Sequence, residues 1–512
     1  MRTATEGGPG THGHEALQGP VLPALCAAAC LLAIFLNFLN FNGYPIARAE
    51  VALVALVLLA IAVLVGLLCW SRRPRERMLI SALFLAVVLP ASLGGGAIVA
   101  VAVMLGAILL RNRALVVAGV IFAVVLLFQT AHAIVRPGPE PLPAMHSDAA
   151  ALPVVVHVVL DEAIGIEGMP MDIPETVRAA SWGRDLLIDN GFVVFGRAYA
   201  EDMHTVNSVP RVLGLGVPEQ IERDGLSYTL GDNAYLRALK DRGYAIKVYQ
   251  NTVARYCPSP LVDICQTARE YRALAEAPLP AADKAAVLLR AFGNMFDVVS
   301  FAAKVYDLSL AGAPWLQRAL PPLHWEYGRY PTALGGIDAL DRLIDDASRA
   351  RPGEAYFAHV LLPHYPYALD AHCRVLPQSQ WTSRHSHFRS REDRYRAYAA
   401  QWRCALGRVA DLVRALRAAR PDGDFAVIVH GDHGSRLAAT DPDAANAAGL
   451  SPQDFRDSYS TLAAVRLPGL KAAYESAPVS VRALVRAIVE SGFEAPMAVP
   501  EASPISVVLE RP

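Results

Sequence analysis

Three apolar runs in this chain end in residues that could do chemistry. Val154–Leu160 is followed by Asp161-Glu162, Tyr356–Leu362 by Pro363-His364-Tyr365-Pro366, and Phe425–His430 by Gly431-Asp432-His433-Gly434. Two carboxylates directly after a buried strand are poorly placed for packing and well placed for a cation. Asp432 and His433 add an oxygen and an imidazole, a donor mix suited to Zn²⁺ or Mn²⁺. Glycine on both sides lets the backbone turn and approach a ligand closely. Each feature also has an ordinary reading. An Asp after a strand caps the next helix, Asp-His-Gly occurs in turns, and a His between prolines packs in a loop. Their shared position, at the ends of three strands on one expected sheet edge, gives them weight together.

Such a centre needs a nucleophile. The polar segment 200–210 follows the apolar run Phe192–Tyr199 and offers Thr205 and Ser208. A hydroxyl is a weak nucleophile at its own pKa and needs a base or a metal. A dication supplies that and polarises a phosphoryl oxygen as well. The ordinary reading is an N-cap, and the two roles are compatible, because a helix N-terminus favours bound phosphate.

These residues must be positioned by something. From about Ala150 the composition is that of a soluble α/β protein. Strands are expected at Val154–Leu160, Phe192–Tyr199, Ala245–Tyr249, Tyr356–Leu362, Phe425–His430 and Leu462–Leu467, and helices between them, for example at Ala285–Phe301 and Arg396–Ala418. The alternation predicts a doubly wound, mostly parallel sheet that holds ligands at the carboxyl ends of its strands. Ala281–Leu323 is amphipathic and rich in Phe, Val, Trp and Leu. Packing on the sheet is the favoured expectation for it, and lying on a membrane surface is the alternative.

The rest of the chain is membrane-like. Of 512 residues, 54% are hydrophobic and 19% charged, with a net charge of −1; ordinary soluble domains run to about 25% charged. That balance excludes a disordered chain and a general nucleic-acid binder. The apolar excess lies between Val21 and Val135. It divides into five candidate spans, Val21–Asn40, Ala49–Trp70, Met78–Ala91, Gly95–Leu110 and Ala114–Val135. Basic loops at 71–77 and 111–113 both belong in the cytoplasm, which requires two spans between them and a hairpin at Pro90–Gly96. The expected order is a cytoplasmic tail (1–20), a five-span α-helical membrane domain (21–135), a Pro-rich linker (136–150) and an outer catalytic domain (151–512). Cys26, Cys30 and Cys69 are expected to pack within spans. Cys257, Cys265, Cys373 and Cys404 lie in the outer domain, where an even count in an oxidising compartment predicts two disulfides. Four free buried thiols are the alternative.

The outer residues resemble the alkaline phosphatase superfamily in its sulfatase-like branch, and the whole plan resembles membrane-anchored phosphoethanolamine transferases and lipoteichoic acid synthases. The resemblance covers roughly Val154 to Gly469. It implies a metal on Glu162, Thr205, Asp432 and His433, with Thr205 as nucleophile, three residues before Ser208-Val209-Pro210. Asp161 is an additional or supporting ligand, and His364 is a substrate-side histidine. The segment Asp457–Leu462 resembles the family's strand after the metal pair. The family often has a further His downstream, and none follows His433 here. Arg211 comes one residue early for the sulfatase formylglycine motif. The implied protein is a multi-pass enzyme of a bacterial inner membrane with one divalent metal, zinc or manganese. It would pass a phosphoryl headgroup from a phospholipid donor to a glycan, lipid or other envelope acceptor. A sulfate- or phosphate-ester hydrolase is the alternative, and a degenerate binding module the third reading.

Overall fold

The computed structural model describes residues 20–70, 73–93, 97–110, 113–135, 152–224, 227–313, 315–320, 322–323, 331–384, 386–437, 441–442 and 445–495. The expected N-terminal tail lies outside them except for residue 20, and so do the linker 136–150, the glycines at 94–96 and parts of both basic loops. The chain divides into two units, one of residues 1–140 with 280–329, the other of residues 141–279 with 330–512.

The first unit opens with five helices: α1 (Val21–Phe41), α2 (Ala49–Trp70), α3 (Pro74–Leu93), α4 (Ala97–Leu110) and α5 (Ala114–Val135). Three of them, α1, α2 and Ala114–Ala131 of α5, are long and apolar enough to cross a membrane. At about 1.5 Å per residue, the 14 residues of α4 fall short of a ~30 Å hydrocarbon core. Pro90, expected in a hairpin, lies inside α3. Glu50, buried near the start of α2, accepts the Tyr44 hydroxyl at 2.7 Å, so the one carboxylate of α2 has a partner.

The elements continue with β1 (Val154–Leu160), α6 (Pro174–Asp189), β2 (Val193–Phe195), β3 (Ala198–Tyr199), α7 (Thr205–Leu213), β4 (Glu222–Asp224), β5 (Ser227–Thr229), α8 (Ala234–Asp241), β6 (Ala245–Gln250), β7 (Ala254–Arg255), β8 (Ile264–Thr267), α9 (Glu270–Glu276), α10 (Ala281–Gly293), α11 (Asp297–Ala311), α12 (Thr332–Ala347), β9 (Glu354–Val360), α13 (Arg391–Ala419), β10 (Phe425–Gly431), α14 (Pro452–Tyr459), β11 (Ala463–Arg466), β12 (Ala473–Glu475), β13 (Val479–Ser480) and α15 (Val481–Glu490). Eight strands form one sheet in the order β12-β2-β11-β10-β1-β9-β6-β8. All run parallel except β11, which is antiparallel to both its neighbours. Strands β1, β9 and β10 are buried along their full lengths. A parallel sheet covered on both faces buries both sides of each strand, which is why these segments read as unbroken apolar runs.

The expected strands appear with shifted ends. Phe192–Tyr199 breaks at Gly196-Arg197 into β2 and β3, where the Tyr474 hydroxyl fills the space a Gly196 side chain would need. The expected strand at Tyr356–Leu362 stops at Val360, and Asp457–Leu462 is largely the end of helix α14. The segment Ala285–Phe301 is two helices, not one. Helices α10 and α11 meet at a 117° bend and belong to the first unit. There Phe292 packs edge-on to Phe35 at 5.2 Å and lies 5.9 Å from Phe38. Helix α11 leaves most of its apolar residues exposed.

Helix α13 packs against α6 and α12. Gly183 of α6 sits directly on the Trp402 ring, so a side chain there would collide with it. Disulfides join Cys257 to Cys265 and Cys373 to Cys404, and Cys26, Cys30 and Cys69 are free and buried.

Candidate metal centre

Strand order brings the expected residues together. β1 lies between β10 and β9, with Leu160 opposite Gly431 on one side and Val360 on the other. The residues that leave these three strands therefore share one carboxyl edge. The Asp161 amide donates to the Val360 carbonyl at 3.0 Å, which extends the pairing by one residue. Glu162 follows with φ at +61°, a left-handed conformation uncommon for a non-glycine. Its amide donates to Asp432 Oδ1 at 2.9 Å, and the His433 amide donates to the same oxygen at 2.9 Å.

The glycines beside Asp432-His433 permit close approach, as expected. Gly431 lies against the Ala163 carbonyl and the Thr461 hydroxyl, and Gly434 against the Asp457 carbonyl, with no room for a Cβ at either. These contacts fix the loop between β1 on one side and α14 on the other.

Thr205 is the first residue of α7. The N-cap is His204, which makes no side-chain cap bond, so the Thr205 hydroxyl is not spent on capping. Its Oγ1 lies 3.1 Å from His433 Nε2 and 3.4 Å from Asp161 Oδ2. Ser208 is different: it is buried and donates to the Asp432 carbonyl. Of the two candidate hydroxyls, only that of Thr205 faces the Asp161 carboxylate and the His433 ring.

Asp161, Glu162, Asp432 and His433 are each at most 2% exposed. Burial works against the charged form of Asp161, but the His359, His364 and His433 rings outweigh it and hold its carboxyl below the usual range. Glu162 is likewise held down against burial, by His364 and Arg436. Burial lowers the His433 pKa, with Asp432 opposing. His433 Nδ1 lies 2.8 Å from the Gly434 carbonyl, an acceptor only, so Nδ1 carries the proton and Nε2 carries a lone pair. That lone pair faces Asp432 Oδ2 at 3.2 Å. Asp161 Oδ1, Glu162 Oε2 and Asp432 Oδ2 are buried without hydrogen-bond partners. Buried carboxylate oxygens without donors are costly, and a nearby cation would offset that cost. Among the described residues, two groups have ligand atoms close enough for one ion: Asp161, His359 and Asp432, and Asp161, Glu162 and His364. The donor set therefore fits a divalent metal.

The two carboxylates after β1 play different parts. Asp161 faces Thr205. Glu162 Oε1 pairs with Arg436 at 2.8 Å and lies 3.8 Å from His364 Nε2. His364 is half-buried, stacks on Tyr365, and bonds that residue's carbonyl through Nδ1 at 2.6 Å, which leaves Nε2 toward Glu162.

Sequence reasoning missed His359, Tyr256 and Arg436. His359 Nε2 lies 3.3 Å from Asp161 Oδ2, and its Nδ1 lies 2.6 Å from the Tyr256 hydroxyl. The available signal was a histidine interrupting an apolar strand one residue before its end. Arg436 carries no such signal, because its pairing with Glu162 depends on the path of the loop after Gly434.

By sequence, the chain matches no family model and no curated protein. By structure, it shows a likeness to several solved proteins. One is the periplasmic domain of EcEptC from Escherichia coli in complex with Zn, at 12% identity over 70% of this chain and 87% of that one, with a TM-score of 0.39. Another is a protein in the alkaline phosphatase superfamily from Vibrio parahaemolyticus, at 12% identity over 70% and 72%, with a TM-score of 0.35. A third is the lipooligosaccharide phosphoethanolamine transferase A of Neisseria meningitidis, an integral membrane protein, at 13% identity over 93% and 96%, with a TM-score of 0.35.

Proposed function

We propose that the protein is a membrane-anchored, metal-dependent phosphoryl-headgroup transferase with Thr205 as nucleophile, working on the outer face of a bacterial inner membrane. The observation that carries this reading is the Thr205 hydroxyl, 3.1 Å from His433 Nε2 and 3.4 Å from Asp161 Oδ2, beside three buried carboxylate oxygens without partners. Asp161, Glu162, Asp432, His433 and the Thr205 hydroxyl would hold one zinc or manganese ion, with His359 supporting Asp161. When bound, the ion lowers the pKa of a coordinated hydroxyl and offsets charge on phosphoryl oxygens.

The chain's own groups do the rest. Thr205 Oγ1 directs its proton at Asp161 Oδ2. The oxygen attacks phosphorus of a phospholipid phosphodiester, the bond to the diacylglycerol oxygen breaks, and that oxygen takes up a proton. The N-terminal amides of α7 favour the phosphoryl group held there. His364 presents Nε2 to the headgroup phosphate or the leaving oxygen. An acceptor hydroxyl or phosphate then takes the headgroup from Thr205. Anchoring to the membrane raises the effective concentration of a lipid donor, which favours lipid chemistry over hydrolysis of soluble esters.

The test uses full-length protein in vesicles of labelled phosphatidylethanolamine or phosphatidylglycerol. Diacylglycerol release should require added zinc or manganese, and Asp432→Asn should lower it by at least 100-fold, the order expected for losing about 3 kcal/mol of transition-state stabilisation. Metal-dependent release of phosphate or sulfate from soluble esters, with no diacylglycerol from either lipid, would replace this reading with an ester hydrolase.

A further inference from the structure

The chain leaves the sheet-bearing unit at residue 279, spends residues 280–329 in the helical unit, and returns at residue 330. Both ends of this excursion belong to one outer domain if α1, α2 and α5 cross the membrane. An excursion with both ends on one side cannot cross the bilayer an odd number of times. The bent pair α10 and α11 therefore cannot be a single broken span.

Its packing says where it goes instead. Helix α10 packs on α2, and Phe292 near its end meets Phe35 and Phe38 in the last two turns of α1. Those turns form the end of α1 that the basic loops assign to the outer side. Helix α11 touches α3 and buries only Asp307 and Leu310. Val298, Phe301, Val305 and Leu308 fall at spacings of three and four, so they share one helix face. They are 61%, 69%, 46% and 43% exposed, and Trp315 beyond the helix is 74% exposed. Helix α2, on which α10 sits, exposes its own Leu and Val residues in the same way.

We infer that residues 280–329 are a bilayer-docking element, with the Val298-Phe301-Val305-Leu308 face of α11 lying among phospholipid acyl chains of the outer leaflet. Asp297 and Lys304 border that face and reach the headgroup level, with Trp315 at the interface. The occupant is lipid, because α10 and α11 pack within a unit whose α1, α2 and α5 are themselves long and apolar enough to need it. The outer domain is thereby tied to the membrane by an internal segment as well as by its N-terminal linker. This inference needs the membrane reading of α1, α2 and α5 and is independent of the proposed chemistry.

The test uses wild-type full-length protein in phosphatidylethanolamine–phosphatidylglycerol vesicles. It is labelled in parallel with a diazirine dissolved in the bilayer and with a water-soluble diazirine, and the adducts are mapped by peptide mass. The bilayer reagent should modify peptides spanning 298–308 at least fivefold more than the aqueous one, as it does peptides of α2. Modification of α2 by the bilayer reagent, with 298–308 labelled mainly from water, would overturn the inference. So would aqueous labelling of both segments, because no bilayer would then surround the helical unit. Phe301→Asp, an exposed change, should cut bilayer labelling of its peptide at least threefold and leave that of α2 unchanged.

Discussion

Asp457 shows what individual buried groups do in this site. It lies beneath the Asp432-His433-Gly434 loop, where its carbonyl accepts the Arg436 amide at 2.8 Å. Its carboxylate takes the Tyr395 hydroxyl and, at 3.1 Å, the Gln453 amide. Burial nevertheless pushes its pKa up to about 6 from 3.8. The folded state thus prefers the protonated acid. Its contribution is fully present below about pH 4 and is lost as the pH rises through about 6, a cost on the order of 3 kcal/mol at pH 8. Asp457→Asn removes that titration. We expect the variant to melt above the wild type at pH 8, and the gap to shrink to about half by pH 5 and close near pH 3, in thermal unfolding of full-length protein in detergent. A gap that is constant from pH 5 to pH 8 would contradict the assignment. Single residues were also the most legible part of the site. Asp161, Glu162, Asp432, His433 and His364 stand out because polar groups after buried strands need a reason. His359 was hidden because it falls inside a strand, where side-chain direction decides its meaning, and one sequence does not display that direction. Asp161 and Glu162 have the same chemistry and adjacent positions. Only the left-handed turn at Glu162 sends one carboxylate to Thr205 and the other to Arg436.

Helix α13 contributes no residue to the candidate site, yet it arranges two of the three loops at the sheet edge and supports the third. Its Tyr398 hydroxyl donates to the Glu162 carbonyl at 2.6 Å and accepts the Ile164 amide at 2.9 Å, and Trp402 donates to the Ile164 carbonyl at 3.2 Å. Gln401 accepts the amides of Ala368 and Leu369 and donates to the carbonyls of Pro363 and His364. Tyr395 holds Asp457. Tyr395, Tyr398 and Trp402 follow the three- and four-residue spacing of one face. Replacing Gln401 with Ala leaves two buried amides without an acceptor, at a cost of about 1–3 kcal/mol. We expect Gln401→Ala to lower the melting temperature and to loosen the 363–369 loop, read as faster amide exchange at residues 368 and 369. Unchanged exchange there would mean that the loop is held by other contacts. The helix itself was expected from its periodicity, and its extent came close to Arg391–Ala419. Its role was not legible, because hydrogen bonds to distant backbone leave no local pattern. Elements shorter than about five residues were the least readable. β2 and β3 are three and two residues long, and tertiary contact rather than propensity ends them.

At the scale of the whole chain, hydropathy and strand alternation were sufficient for the two-part plan, an apolar helical bundle followed by a mostly parallel sheet. The excursion 280–329 was the exception. Its amphipathic pattern favoured a sheet-packed helix over a membrane-lying one, and the packing of α10 against α1 and α2 leaves no local trace in the sequence. Both units matter to the proposed reaction: the sheet edge holds Thr205 among buried acids, and the helical unit confines the donor. The most direct test of that claim is the intact mass of full-length protein after incubation with labelled phosphatidylethanolamine or phosphatidylglycerol and metal, alongside Thr205→Ala. The account predicts a headgroup-sized phosphoryl adduct on the wild type that is absent from the variant, with its mass naming the donor. An adduct that persists in Thr205→Ala, or no adduct with either lipid in protein shown to contain metal, would contradict it.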